Sequence, residues 1–76
     1  MPTCGLATEL GLAIREARSS LGISQERLSE LAGLDRTYVS GVERGTRNPT
    51  LDSMTRLASA LGVRLSDLLK RAEELS

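Results

Sequence analysis

The chain has 76 residues, room for one small domain and not two. Of these, 39% are apolar and 26% charged, the balance of a folded domain rather than a disordered tail. Ten basic and ten acidic side chains cancel, which argues against a generally basic, sequence-blind coat for nucleic acid. With no His, one Cys (Cys4) and a single aromatic residue (Tyr38), the composition excludes His-based catalysis, Cys-clustered metal sites, an intrachain disulfide and a stacking platform for single-stranded bases.

Residues 1–8 read as a flexible tail and residues 9–76 as the domain. The start has neither the basic region nor the apolar stretch of a signal peptide, and no apolar run approaches the ~20 residues of a membrane span. The expected compartment is a reducing cytoplasm. The first helix carries Leu10, Ala13, Ile14, Ala17 and Leu21 at spacings of three and four, and runs out at Gly22. Ser24 is the N-cap of a short second helix with Leu28, Leu31 and Ala32 on its apolar face. Gly33 ends it. Asp35 then caps a third helix, from about Arg36 to Arg44, that buries Val39 and Val42. Leu34 and Val39 stand at the spacing of a hydrophobic staple. Arg47, Asn48 and Pro49 form a loop, and Thr50 caps a fourth helix carrying Leu51, Met54, Leu57, Ala58 and Leu61. After Gly62 a fifth helix begins near Leu65 or Ser66, with Leu65, Leu68, Leu69 and Ala72 apolar. No segment alternates as a strand would, so the fold class is all-α with five helices.

The second and third helices are separated only by Gly33, Leu34 and Asp35. That is a helix-turn-helix corner, spanning about residues 24–44. Its corner needs a residue tolerant of positive φ, which Gly33 supplies. Its inner wall must be small or apolar, and Leu28, Ala32, Leu34, Val39 and Val42 qualify. Arg36, Thr37, Ser40, Gly41 and Arg44 leave the other side of the third helix polar, small or charged.

From Leu21 to Leu69 the chain resembles the helix-turn-helix family of phage repressors and Cro proteins, the XRE family. The resemblance rests on Gln25, Gly33, Val39, Glu43–Arg44–Gly45, Pro49, Leu57 and Ala60–Leu61–Gly62–Val63. With the first helix it covers nearly all of the chain after residue 8. The run RTYVSGVERG is also similar to small controller proteins of restriction–modification systems, and to many other small regulators. Three positions depart from the family pattern. Ser29 stands where Ala is usual. Arg64 replaces the usual Ser or Thr before the last helix. Gly41 replaces a long polar side chain late on the reading face, which leaves fewer side chains to read sequence.

The resemblance implies a compact lambda-repressor-like domain that binds double-stranded DNA in the major groove and regulates transcription. In that setting Arg36 is placed to bond bidentately to a guanine, a contact worth about 1–3 kcal/mol of discrimination. Thr37 meets a thymine methyl or base edge, and Ser40 a base or phosphate. Gln25 offers a phosphate the first-turn N–H groups of its helix and its own amide. Tyr38 either packs over the corner or meets phosphate or sugar. Arg44, Arg47 and Asn48 meet the backbone, with Arg47 alternatively entering a minor groove. Ser53 is a further phosphate donor. Glu43 reads as structural, paired with Arg15 or Arg18 or restraining Arg44. From Asp35 to Arg56 four arginines face only three carboxylates, so the fold has to segregate the arginines to make a basic face.

One such module covers few base pairs, roughly 600–1,000 Å² of DNA contact. A homodimer on a (pseudo)palindromic operator, with half-sites about 34 Å apart, is therefore expected. The apolar surplus of the fifth helix (Leu65, Leu68, Leu69, Ala72) makes it and the fourth helix the expected interface. RNA polymerase is a further candidate partner. No cofactor, metal, membrane or small-molecule ligand is expected, and no nucleophile–base pair supports an enzyme. An antitoxin or small helical adaptor that binds protein is the competing reading, separable by a gel shift against genomic fragments.

Overall fold

In a computed structural model that describes residues 6–76, five helices follow one another: α1 (Leu6–Leu21), α2 (Gln25–Ala32), α3 (Arg36–Glu43), α4 (Leu51–Leu61) and α5 (Leu65–Leu75). Among the described residues there is no strand. Three of the starts are set by the expected caps. Ser24 accepts from the Arg27 N–H, Asp35 from Thr37 and Thr50 from Ser53, each satisfying a donor that a helix start leaves without an intrahelical partner. α5 is the exception. Arg64 occupies its N-cap position and makes no side-chain cap bond, as befits a residue whose side chain has only donors.

The five largest side chains sealed in the core are Ile14, Leu28, Val39, Val42 and Leu57, one or two from each of the first four helices. α1 is the spine: it packs on α3, α4 and, most extensively, α5. Its crossing with α3 is close because Gly11 has no side chain. A Cβ there would overlap the Val42 carbonyl oxygen and lie 2.6 Å from that of Glu43.

Several expectations need correction. Leu6, Ala7 and Thr8 belong to α1 and not to a tail. The reason is packing: Thr8 lies against Gly45, 2.8 Å from where a Cβ on that glycine would stand. Residues 1–5 of the expected tail lie outside the described residues. Leu21, Leu31 and Leu51 share their helices' apolar stripes in sequence but are 52%, 49% and 67% exposed. They lie at the margins of those stripes, outside the packed core. Leu68 and Ala72, expected at a dimer interface, are 4% and 0% exposed within the single chain. α5 uses them to close its own core against α1, so they offer a partner no surface. Leu65 and Leu69 are only half-buried and pack at the edge of that core.

Candidate nucleic-acid interface

The corner between α2 and α3 is built from local chemistry. Gly33 takes the left-handed conformation, φ 68°, and its N–H and that of Leu34 bond back to the carbonyls of Glu30 and Ser29. Asp35 Oδ2 then accepts from the Thr37 N–H at 2.9 Å and starts α3. The inner wall is Leu28, Ala32, Val39 and Val42, all buried, with Leu34 half-buried beside them. Ser29 is buried in that wall. Its hydroxyl donates to the Glu26 carbonyl at 2.7 Å, so the polar atom is satisfied within its own helix and the crossing survives the exchange of Ala for Ser.

Behind α3 lies a partly buried ionic cluster centred on the buried Glu43. Arg18 of α1 donates from Nε and Nη2 to the two carboxylate oxygens of Glu43, at 2.7 and 3.0 Å, and from Nη1 to the Ile23 carbonyl at 3.0 Å. The Gln25 amide donates to the same carboxylate at 2.9 Å. Hydrogen bonding to Glu43 raises the Arg18 pKa above its ordinary value, against the opposing effect of burial. The carboxylate thus ties α1, the start of α2 and the end of α3 together. Glu43 is structural, with Arg18 and not Arg15 as its partner.

The opposite side of α3 is open. Arg36, Thr37 and Arg44 are exposed, as are Arg47 and Asn48 in the following loop, while Ser40 is half-buried. Gln25, Arg36, Thr37 and Ser40 line one shallow depression of about 230 Å³. Among the described residues Arg36, Arg44 and Arg47 make no ion pair, whereas Glu43 is turned inward and Asp52 is held by Arg56 at 2.9 Å. Of the near-neutral segment's three carboxylates, Glu43 is thus turned away from the outer edge, while Asp35 and Asp52 stay exposed but engaged, the first in the α3 cap and the second with Arg56.

Two expected phosphate donors change role. Ser53 is only 8% exposed, and its hydroxyl oxygen lies 3.1 Å from that of Thr50 inside the cap of α4. Little of it is left exposed to meet a phosphate. The Gln25 side-chain amide is committed to Glu43, which leaves the first-turn N–H groups of α2 as that helix's offering to an anion. One arrangement was not anticipated. The Arg47 guanidinium stands 5.6 Å from the centre of the half-buried Tyr38 ring. The signal for it was in the sequence, in the missing side chain at Gly41 that opens the path between the two.

A helix-turn-helix family description matches residues 14–68, which takes in the corner, its buried cluster and the open face. The chain belongs to the helix-turn-helix family. Among curated relatives it is 47% identical over 60 residues to control protein C.BamHI of Bacillus amyloliquefaciens, covering 78% of this chain and 74% of the relative. It is 45% identical over 58 residues to control protein C.SmaI of Serratia marcescens, covering 76% and 69%. Among solved structures, the restriction–modification controller protein C.AhdI of Aeromonas hydrophila superposes with a TM-score of 0.80 at 47% identity, over 82% of this chain and 94% of that one. Both the XRE-type resemblance and the narrower likeness to controller proteins hold.

Proposed function

We infer that the chain is a transcriptional regulator that binds double-stranded DNA sequence-specifically, and that it controls a restriction–modification system. The observation that carries this reading is the shared depression of Gln25, Arg36, Thr37 and Ser40 at the start of α3, flanked by cations without carboxylate partners. Arg36 reads a guanine edge, with Thr37 and Ser40 beside it. The first turn of α2 holds a phosphate. Arg44, Arg47 and Asn48 hold the backbone on the far side and contribute affinity without sequence information. Two copies act together on a (pseudo)palindromic operator, with half-buried Leu65 and Leu69 at the edge of the contact between them. The protein works in the cytoplasm, and where its operator lies relative to a promoter decides whether it contacts RNA polymerase or excludes it.

In vitro selection of bound duplexes tests this. The expected product is a two-fold symmetric site with half-sites about 34 Å apart. Arg36→Ala is expected to reduce operator affinity by about 1–3 kcal/mol while leaving binding to random duplex nearly unchanged. Equal losses on both DNAs would remove Arg36 from the reading role. A selection that enriches no sequence would remove the function.

A further inference from the structure

Gly41 is buried on α3, and what covers it is a side chain from outside the helix. An added Cβ would lie 2.6 Å from Arg47 Cγ and 3.4 Å from Arg47 Cβ. The Gly41 carbonyl accepts three bonds: from the Thr46 N–H at 2.9 Å, the Arg47 N–H at 3.2 Å and the Thr46 hydroxyl at 3.1 Å. The start of the Arg47 side chain is therefore pinned against α3. Its stem crosses the space a side chain at residue 41 would fill, and its guanidinium stands 5.6 Å from the Tyr38 ring centre. That ring is itself half-buried and packed on the core, so it is a fixed platform. A cation held near an aromatic ring is attracted by the ring's quadrupole. A long side chain restrained in this way loses less freedom on binding than a free one.

We propose that Tyr38 is a positioning residue, acting on DNA through Arg47, which reaches over Gly41 to supply the cation that the reading helix itself lacks there. This deepens the DNA-binding reading and rests on it. The glycine that removes a contact from α3 is the same glycine that admits one from the loop.

The test is a pair of double-mutant cycles on operator binding, with thermal unfolding of each variant to verify the fold. Arg47→Ala is expected to weaken binding about tenfold and to lower the slope of log affinity against log salt by about 1. Tyr38→Leu is expected to weaken it about threefold in the parent and not at all in the Arg47→Ala background. Tyr38→Phe, which keeps the ring, is expected to recover most of the Tyr38→Leu loss. Gly41→Ala, which displaces the arginine stem, is expected to approach the Arg47→Ala loss and to add nothing to it. Additive losses for Tyr38 and Arg47 overturn the proposal, because Tyr38 then touches DNA itself. So does a Tyr38→Phe variant as weak as Tyr38→Leu, or a Gly41→Ala loss that persists without Arg47. These results leave the regulator reading standing, whereas a parent protein that selects no operator overturns both.

Discussion

Two arginine–carboxylate pairs tie α1 to the rest of the protein, with almost the same geometry and very different surroundings. Arg18 grips Glu43 at 2.7 and 3.0 Å behind the reading helix, with side chains 15% and 2% exposed. Arg71 of α5 grips Glu16 at 2.8 and 3.1 Å on the outside, with side chains 46% and 49% exposed. Distance alone would rank them as equals. The medium does not, because water and salt screen the outer pair and hardly reach the inner one. The inner carboxylate also accepts from Gln25, so its removal deprives two donor side chains of their acceptor and not one.

The largest expected effect is therefore at Glu43. Glu43→Ala leaves Arg18 charged and largely buried without its partner, and should lower stability by about 3 kcal/mol. Urea unfolding would measure this, and repeating it in 1 M salt should change the difference little. Because hydrogen bonding raises the Arg18 pKa, that group stays charged and the pair's contribution persists into alkaline solution. A loss no larger than that of an ordinary surface substitution would mean that the cluster orders α3 without stabilising it.

The next effect probes the wall to which Glu43 is fixed. Gly11→Ala at a solvated helix position would raise stability by up to ~1 kcal/mol through propensity. Here the new methyl meets the carbonyls of Val42 and Glu43, which are backbone and cannot rotate away. The substitution should instead destabilise by about 2 kcal/mol. A gain in stability would show that α1 can shift along α3 without loss, and that the buried pair tolerates the movement.

The contrast also explains what could be read from the sequence. The caps at Ser24, Asp35 and Thr50 depend on residues within three positions of each other and the turn at Gly33 on residues within five, so sequence neighbours suffice to place them. The helix-turn-helix and its outward Arg36, Thr37 and Arg44 follow from those caps and from the periodicity of α3. What periodicity leaves open is the identity of the neighbour. It assigns Leu31 and Leu51 to apolar stripes without saying how far the adjoining helix extends, and both are exposed. It marks Leu68 and Ala72 as apolar without saying whether their own chain or a second copy covers them, and their own chain does. Gln25 and Ser53 have the same difficulty with polar partners. Gln25 meets a carboxylate 18 positions away, and Ser53 is drawn under its own cap.

The smallest effect is expected at the outer pair, and its value lies in its sign. The bond from Arg71 lowers the Glu16 pKa, outweighing the opposing effect of burial, with direct charge attraction adding to it. A lowered carboxylate pKa contributes stability above the ordinary Glu value, about 4.3, and that contribution disappears as pH falls through the lowered one. The stability difference between the parent and Glu16→Gln should thus be flat from neutral pH down to weak acid and then shrink towards zero. Salt at 1 M and neutral pH should shrink it as well, since both partners are in contact with solvent. Glu43→Ala should show no comparable response to salt. If the Glu16→Gln difference survived both acid and salt, exposure would not be what separates the two pairs. The Glu16 side chain would then be acting through its packing between α1 and α5 and not through its charge.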